Sequence, residues 1–169
     1  MTTIEYTAGT SPADKIFTKA IWEAAGSPND TELGEGWEEI GSAAFQSTAI
    51  TSIHIPASVT SILTFAFSHN SNLAFVTFAA GSLLETIGDN AFRSCASLAS
   101  VTFATDSGLT IIEQNTFQET GLTSITIPAS VTSIGEHAFW NCSALASVFF
   151  AAGSGLLTIG NDAFSRSGI

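Results

Sequence analysis

Residues 122–144 read LTSITIPASVTSIGEHAFWNCSA, and this stretch recurs with substitutions through most of the chain. Its anchor is an Ile followed five positions later by a Phe. The spacing occurs six times, at Ile40/Phe45, Ile62/Phe67, Ile87/Phe92, Ile112/Phe117, Ile134/Phe139 and Ile159/Phe164. A motif that returns at a period of roughly 20–50 residues indicates a repeat architecture, in which each copy is one structural unit.

Each unit begins with apolar residues at its first, fourth and sixth positions, as in Leu122, Ile125 and Ile127. The alternation at the fourth and sixth positions fits a short strand with one buried face. Pro128 then ends this strand, because proline cannot donate to a β-ladder. One unit cannot enclose a core alone, so equivalent residues must stack between neighbouring units. The sequence therefore predicts a parallel β-solenoid of leucine-rich-repeat type, with strands on one face and Phe-bearing turns on another.

The turn in the middle of the unit has two lengths. Four positions separate Ile55 from Val59 and Ile127 from Val131. Six positions separate the equivalent residues in the other units, Phe78/Leu84, Phe103/Leu109 and Phe150/Leu156. From residue 50 the order is short, long, long, short, long, which indicates a super-repeat of three units.

The whole chain, residues 1–169, is predicted to be a single solenoid domain of about six units of 23–25 residues. Residues 50–168 form five regular units, and residues 1–49 form a first unit with a helical insertion at 10–36. In the first strand, Met1, Ile4 and Tyr6 match Leu73, Val76 and Phe78. Ser11 followed by Pro12 signals a helix start, and helical spacing of apolar residues predicts a helix over residues 12–25. The acidic residues that follow, between 30 and 39, suit a solvated loop or, as an alternative, a calcium site.

Composition and residue spacing argue against several classes of function. The chain has 15 acidic and 4 basic residues, a formal net charge of −11, which disfavours nucleic acid and anionic membrane surfaces as partners. No apolar stretch is long enough to span a membrane, and residues 1–5 lack the basic start and apolar run expected of a signal peptide, so none is expected there. His54, His69 and His137 occupy different places in their units. No catalytic set can be recognised, so the sequence predicts no enzyme, no cofactor and no metal site.

The two cysteines, Cys95 and Cys142, follow Phe by three positions in units that are two repeats apart. At about 4.8 Å per strand the separation is about 10 Å, beyond the ~7 Å limit for a disulfide. Both are predicted to be free, buried thiols.

The pattern LxxIxIPxxVxxIGxxAFxxC of residues 122–142 resembles the BspA-like, or Treponema-type, leucine-rich repeats, and the resemblance covers residues 37–168. This family is found on bacterial surfaces and is linked to adhesion. The resemblance therefore implies an extracellular or cell-surface location and a protein or glycan ligand on the strand face.

Four aromatic residues are candidate contact residues on the surface. Phe75 and Phe149 are predicted to be exposed on a strand face that carries mostly Ser and Thr. Trp140 follows the column residue Phe139 at a position where other units carry polar residues, so it is expected to be largely exposed. Trp22 lies opposite the apolar side of the predicted helix, where it contacts a partner or covers its own loop.

The ends of the chain give a second hypothesis, that of a structural subunit. Met1 and Ile4 begin directly in a repeat strand, and Ile169 is the first residue of a further unit, so neither end shows a polar cap. Copies stacked head to tail would continue the repeat order and form an extracellular fibre. The alternative is that the sequence is a slice of a longer repeat protein.

Overall fold

The computed structural model describes residues 1–5 and 15–169, which form a stack of β-coils with two parallel ladders, the first of them interrupted once. The first ladder contains the longer strands: β1 (Thr2–Ile4), β3 (Asp30–Leu33), β5 (Ser52–Ile55), β7 (Phe75–Phe78), β9 (Ser100–Thr102), β11 (Ser124–Ile127) and β13 (Ser147–Phe150). The second contains two-residue strands: β2 (Ile16–Phe17), β4 (Glu39–Ile40), β6 (Ser61–Ile62), β8 (Thr86–Ile87), β10 (Ile111–Ile112), β12 (Ser133–Ile134) and β14 (Thr158–Ile159).

All pairings join equivalent positions of successive repeats. Ser52 pairs with Phe75, 23 positions on, and Phe75 pairs with Ser100, 25 positions on. Ile62 pairs with Ile87 in the short-strand ladder. The predicted fold class, a parallel β-solenoid of leucine-rich-repeat type with units of about 23 residues, is confirmed.

The core is built from columns of identical or similar side chains. The rings of Phe92, Phe117 and Phe139 are fully buried and stack with centroids 5.4 Å apart, as the repeat spacing predicted. The column extends in both directions, from Phe45 to Phe164, with spacings of 5.0 to 5.4 Å. Phe17, which pairs with Ile40, stacks on Phe45 at the N-terminal end of the column, with centroids 5.0 Å apart. The near-parallel rings follow the strand spacing of about 4.8 Å, because each coil repeats the position of the last. This column is the centre of the solenoid.

The Phe-bearing turns hold left-handed backbone conformations at two positions of each coil from Phe45 to Phe164. Phe139 lies between His137 at φ 55° and Asn141 at φ 57°, and equivalent pairs flank the other column residues. Several of these positions carry Asn, which tolerates this conformation better than most residues. The turns are also tied together, since the Phe117 N–H donates to Ala138 C=O at 2.8 Å in the next coil. Backbone hydrogen bonds between coils therefore offset the strain of these turns.

A glycine follows the short strand where two coils approach closely. A Cβ atom on Gly135 would lie 2.8 Å from the backbone of Glu113 and Gln114 in the preceding coil. On Gly160 it would lie 2.5 Å from the Glu136 nitrogen. Both distances are too short for a side chain, so these glycines set the spacing of the stack.

The position three residues after each column Phe provides a hydrogen-bond donor to the core. The Asn70 amide nitrogen donates to the C=O groups of Phe45 and Phe67, at 2.6 and 2.7 Å. The thiol of Cys95 takes the same place and donates to Phe67 C=O at 3.1 Å. Cys142 donates to Phe117 C=O at 3.0 Å. These side chains satisfy carbonyl groups that the turn leaves without a backbone partner.

The N-terminal part differs from the sequence-based prediction. The described part of the predicted insertion, residues 15–36, is not inserted into one unit: it contains β2, the six-residue helix α1 (Lys19–Ala24) and β3. Strand β2 pairs with β4, and β3 pairs with both β1 and β5. The segment therefore closes a first coil and opens a second, within the repeat stack. The predicted helix over residues 12–25 is wrong at residues 16–17, and its part before residue 15 lies outside the described residues.

The register of the first strand also differs from the prediction. Ile4 pairs with Leu33, which places it in the column of Ile55 and Phe78 and not in that of Val76. Tyr6, which was matched to Phe78, lies outside the described residues. The Trp37 indole donates to the Ile4 C=O at 3.2 Å, so β1 is fixed by the next coil.

Candidate ligand-binding surface

The outer surface of the long-strand ladder is an open face formed by alternate residues of each strand, which we call the strand face. Its members in the two central rows are Thr3, Asp30, Glu32, Ser52, His54, Phe75, Thr77, Ser100, Thr102, Ser124, Thr126, Ser147 and Phe149. Phe75 and Phe149 are 54% and 57% exposed, as their place in the repeat predicted. Large aromatic side chains on an open, mostly hydroxylated face are typical anchors for a partner.

The strand face is acidic at its N-terminal end. Asp30 accepts a hydrogen bond from the Ser52 hydroxyl and lies 3.2 Å from the Met1 ammonium group. These two partners hold the pKa of the Asp30 carboxyl below its usual value. Glu32 accepts a hydrogen bond from Thr3 at 3.0 Å. Towards the C-terminus the same face carries no carboxylate from Phe75 onward, so it changes from charged to neutral along the stack.

The acidic residues between 30 and 39 are part of the second coil and not a free loop. The Glu35 carboxylate accepts the backbone N–H groups of Ala57 and Ser58, both at 3.2 Å, and so caps the turn of the next coil. The Glu38 carboxylate is paired with Lys15. Across residues 1–5 and 15–169 no three His, Cys, Asp or Glu side chains converge in a way that would hold a metal ion. These observations do not support the calcium alternative.

Trp140 lies on the opposite, turn-bearing side of the solenoid and is half-buried, not largely exposed as predicted. The Arg166 guanidinium stacks 5.0 Å from the centre of its ring, and His137 packs edge-on against it at 6.5 Å. The Glu136 and Asp162 carboxylates lie 3.6 and 3.9 Å from His137. Arg166 from the next coil covers the indole, which is why the sequence overestimated its exposure. Trp and Arg together are common in interaction hot spots.

Trp22 is a core residue, and its predicted exposure is wrong. It is only 6% exposed, and its ring packs against Phe45 with centroids 6.1 Å apart. Its indole N–H donates to Pro28 C=O at 3.3 Å. Trp22 follows Phe17 by five positions, the spacing of Ile40 and Phe45, and this was the sequence signal that the helix prediction missed.

The candidate residues at the two edges of the described stack differ in accessibility. Ile4 is buried, at 7% exposure, and is therefore not available to a partner while the first coil is folded. Met1 and Ile169 are 63% and 61% exposed. The last coil also exposes apolar residues whose equivalents elsewhere are buried: Phe150, which pairs with the buried Ile127, and Ile159, which pairs with the buried Ile134.

The two cysteines are free and buried, as predicted. Burial raises the pKa of the Cys95 thiol to about 12. Burial is also the main cause of the raised pKa of Cys142. Both thiols are thus protonated near neutral pH and serve as hydrogen-bond donors to the core, not as nucleophiles.

A cleft opens in the strand face between β9 and β11, and the sequence did not predict it. The first ladder runs without interruption from β1 to β9 and resumes as the pair β11–β13. The cleft has a volume of about 390 Å³ and is lined by residues 100–105 on one side, by residues 124–126 and Pro128 on the other, and by Ala151. The signal that could have located it is the pattern of turn lengths, since β9 precedes a long turn and β11 a short one.

The stacked coils, the two parallel ladders and the Phe column define a leucine-rich-repeat-type solenoid with an open strand face. The family model described as the BspA type leucine-rich repeat region matches residues 38–169 in six copies, and the chain belongs to this family. Among the described residues no helix is both long enough and apolar enough to cross a bilayer.

Two solved structures of bacterial leucine-rich repeat proteins are similar to the chain. A leucine-rich repeat protein of T. pallidum is 28% identical with a TM-score of 0.63, over 79% of this chain and 69% of that one. A leucine-rich cell surface protein of Faecalibacterium prausnitzii A2-165 is 24% identical with a TM-score of 0.59, over 97% of this chain and 47% of that one. The chain thus spans about half the length of the second protein. No curated protein is similar enough to match.

Proposed function

We propose that this chain is a non-enzymatic binding module of bacterial cell-surface type, which recognises an extracellular protein or glycan through its strand face. The observation that carries the proposal is the open face of seven strands with two exposed aromatic side chains, Phe75 and Phe149. Leucine-rich-repeat solenoids use such extended surfaces for binding, because the stacked repeats present rigid rows of side chains that are not buried in the core. The family and the cell-surface relative support the same function.

The test replaces the two aromatic anchors with the residues that other coils carry at the same positions. Phe75→Ser copies Ser52, and Phe149→Thr copies Thr77, so neither change disturbs the core. Binding of the wild type and the double variant is measured on an array of immobilised extracellular-matrix proteins and glycans. We expect at least one ligand to be captured and its affinity to fall about tenfold or more, as for hot-spot residues.

Leu83→Ser is the matched control, because Leu83 is 59% exposed but lies outside the strand face. Trp140→Gln, which copies Gln118, tests the Trp140 surface separately. Capture that is unaffected by the double variant, or an array without any captured ligand, would contradict recognition through the strand face.

Self-assembly into an extracellular fibre is the alternative function that we propose for the same chain. It is supported by the apolar surface of the last described coil, where Phe150 is 45% and Ile159 53% exposed. A second copy stacked on this coil would bury that surface. Light scattering over a range of concentrations, followed by electron microscopy, tests this alternative: filaments are expected, and monomers at every concentration exclude it.

A further inference from the structure

The cleft between β9 and β11 has a cause in the repeat lengths. From β3 onward, the turn after the long strand is short, short, long, long, short and long, if Leu33 to Trp37 is counted as the first. Only after β9 does a long turn precede a short one. The turn at residues 104–108 is therefore two residues longer than the facing turn at residues 128–130, and the two turns cannot match along their whole length. Where a short turn precedes a long one, at β5–β7 and β11–β13, pairing extends over four residues.

Pro128 prevents the two strands from closing at the other end of the cleft. In three other coils the residue after the long strand donates its N–H to the preceding coil: Gly34 to Ile4, Ala79 to Ile55 and Ala151 to Ile127, at 2.9 to 3.0 Å. Proline has no N–H, so Phe103 C=O cannot receive this bond. Pro56 has the same place in β5, but there the preceding turn is short and β3 pairs with β5. The long-to-short change in turn length and the proline together keep β9 and β11 from pairing.

The hydrogen bonds at the entrance of the cleft show the same separation. Thr123 N–H donates to Ala99 C=O at 3.4 Å. The equivalent bonds in the neighbouring coils are 3.0 Å, from Ala99 to Ala74, and 2.9 Å, from Ala146 to Thr123. Beyond Thr123 no ladder pairing joins β9 to β11. Backbone groups along both walls are thus left outside the ladder and can bond to a ligand.

The lining of the cleft restricts the chemistry of its ligand. None of the lining residues is charged, although the chain carries 15 acidic side chains. The rim is hydroxylated, by Thr102 and Thr126 among others, and the floor is apolar, with Phe103 and Pro128. Phe103 stacks on Phe78 at 5.5 Å, which fixes its ring. A matching ligand is neutral and combines hydroxyl groups with an apolar face.

From this geometry we infer that the cleft is a binding site for a neutral saccharide, which rests on the proposed binding function and names its ligand class. Each sugar hydroxyl both donates and accepts hydrogen bonds, so it suits Ser and Thr side chains and unpaired backbone groups alike. The C–H face of the ring packs on Phe103 and Pro128. A volume of about 390 Å³ lies at the small end of the range for ligand sites, about 300–1,000 Å³.

An inserted peptide strand does not fit the same space. A third strand would need about 4.8 Å on each side, roughly 10 Å between β9 and β11. The Cα atoms of β9 and β11 still lie within 8 Å of each other. A wholly apolar ligand is also excluded, because it would leave the hydroxyl groups and the free backbone groups without partners.

The test is titration of the ¹⁵N-labelled chain with maltotriose, cellotriose and N,N′,N″-triacetylchitotriose, followed by NMR. We expect at least one trisaccharide to shift the amide signals of residues 100–105 and 124–128 in a saturable manner. Ser124→Phe should abolish these shifts by filling the mouth of the cleft. Ser147→Phe is its matched control, since Ser147 pairs with Ser124 in the next coil but does not line the cleft.

A second pair of variants tests the hydroxyl contacts without changing the shape of the cleft. Thr126→Val should weaken binding roughly fivefold, the value expected for one lost hydrogen bond. Thr77→Val, at the same place in β7 and outside the cleft, should leave the affinity unchanged. Circular dichroism melting of each variant ensures that a loss of binding is not a loss of fold.

Three results would overturn the assignment. They are the absence of a saturable shift with all three trisaccharides, shifts confined to other residues, and equal effects of Thr126→Val and Thr77→Val. A neutral acetylated peptide of alternating Thr and Val is titrated in parallel. If only this peptide shifts the amide signals of the cleft, the ligand class is a peptide and not a saccharide. The array assay uses Phe75 and Phe149, neither of which lines the cleft, so failure of the cleft proposal leaves the strand-face result intact.

Discussion

Replacement of Phe117 with Ala tests whether the ring column holds the coils together. The Phe117 side chain is fully buried, and each of its faces contacts another ring, from Phe92 and Phe139, at 5.4 Å. Removal of about 150 Å² of buried ring at about 25 cal/mol per Å² gives a loss of about 4 kcal/mol. This agrees with the ~3–5 kcal/mol found for Phe→Ala in protein cores. The cavity lies mid-stack, where two coil interfaces share it.

The assay is urea-induced unfolding followed by far-UV circular dichroism, with the free energy of unfolding extrapolated to water. Phe164→Ala is the control, because Phe164 is only partly buried and stacks on one neighbour, Phe139. We expect the control to lose about half as much or less, since one face of its ring has no aromatic partner to lose. An unchanged midpoint for Phe117→Ala, or equal losses for both variants, would refute the column as the main source of cohesion.

Three further predictions concern the donors of the core and the interrupted ladder. Asn70→Ala should lower the free energy of unfolding by about 2 kcal/mol, because two buried carbonyl groups lose their donor. Asn70→Thr, which copies Thr48, should lower it by less, and urea unfolding measures both variants. The Cys95 thiol has its ordinary pKa of 9.0 in the unfolded chain and a pKa of about 12 in the folded protein. The free energy of unfolding should therefore fall as pH rises from 9 towards 12, and it should fall less steeply for Cys95→Ser in the same assay. Amide hydrogen exchange should be faster for the edge of β11 that faces β9 than for the equivalent edge of β5, which is paired on both sides; equal protection would show that the cleft closes in solution.

Several features of the fold could be predicted because the same spacing of residues occurs in every regular unit. The spacing from Ile134 to Phe139 recurs in every regular unit, so the core columns and the parallel register follow from the chain alone. The exposure of Phe75 and Phe149 follows from the same period, since strand residues alternate between the two faces. The two cysteines could be predicted to be free because they lie two coils apart, too far for a disulfide. Each of these features depends only on position within the period.

The second coil was not predicted because polar and aromatic residues replace some of the aliphatic residues of the repeat pattern there. It matches the unit that follows it at an offset of 22 residues, with Leu33, Trp37, Ile40 and Phe45 against Ile55, Val59, Ile62 and Phe67. Thr31 stands where Ile53 follows, and it is buried with its hydroxyl bonded to Pro28 C=O. The apolar alternation that marks a strand is lost there, whereas the backbone pairing is not. Trp22 likewise takes the place of a column Phe and was read as a surface residue.

The sequence by itself determined the period, the solenoid class and the residues of each column, since these depend on local spacing that every unit repeats. Only the tertiary structure decided that residues 16–33 continue the stack, that Arg166 covers Trp140, and that β9 and β11 separate. The physical reason is that these features arise between coils, from residues 22 to 29 positions apart, where unequal turn lengths and facing side chains must be reconciled. A repeat pattern specifies each coil, but the contacts between unequal coils decide where its surface opens.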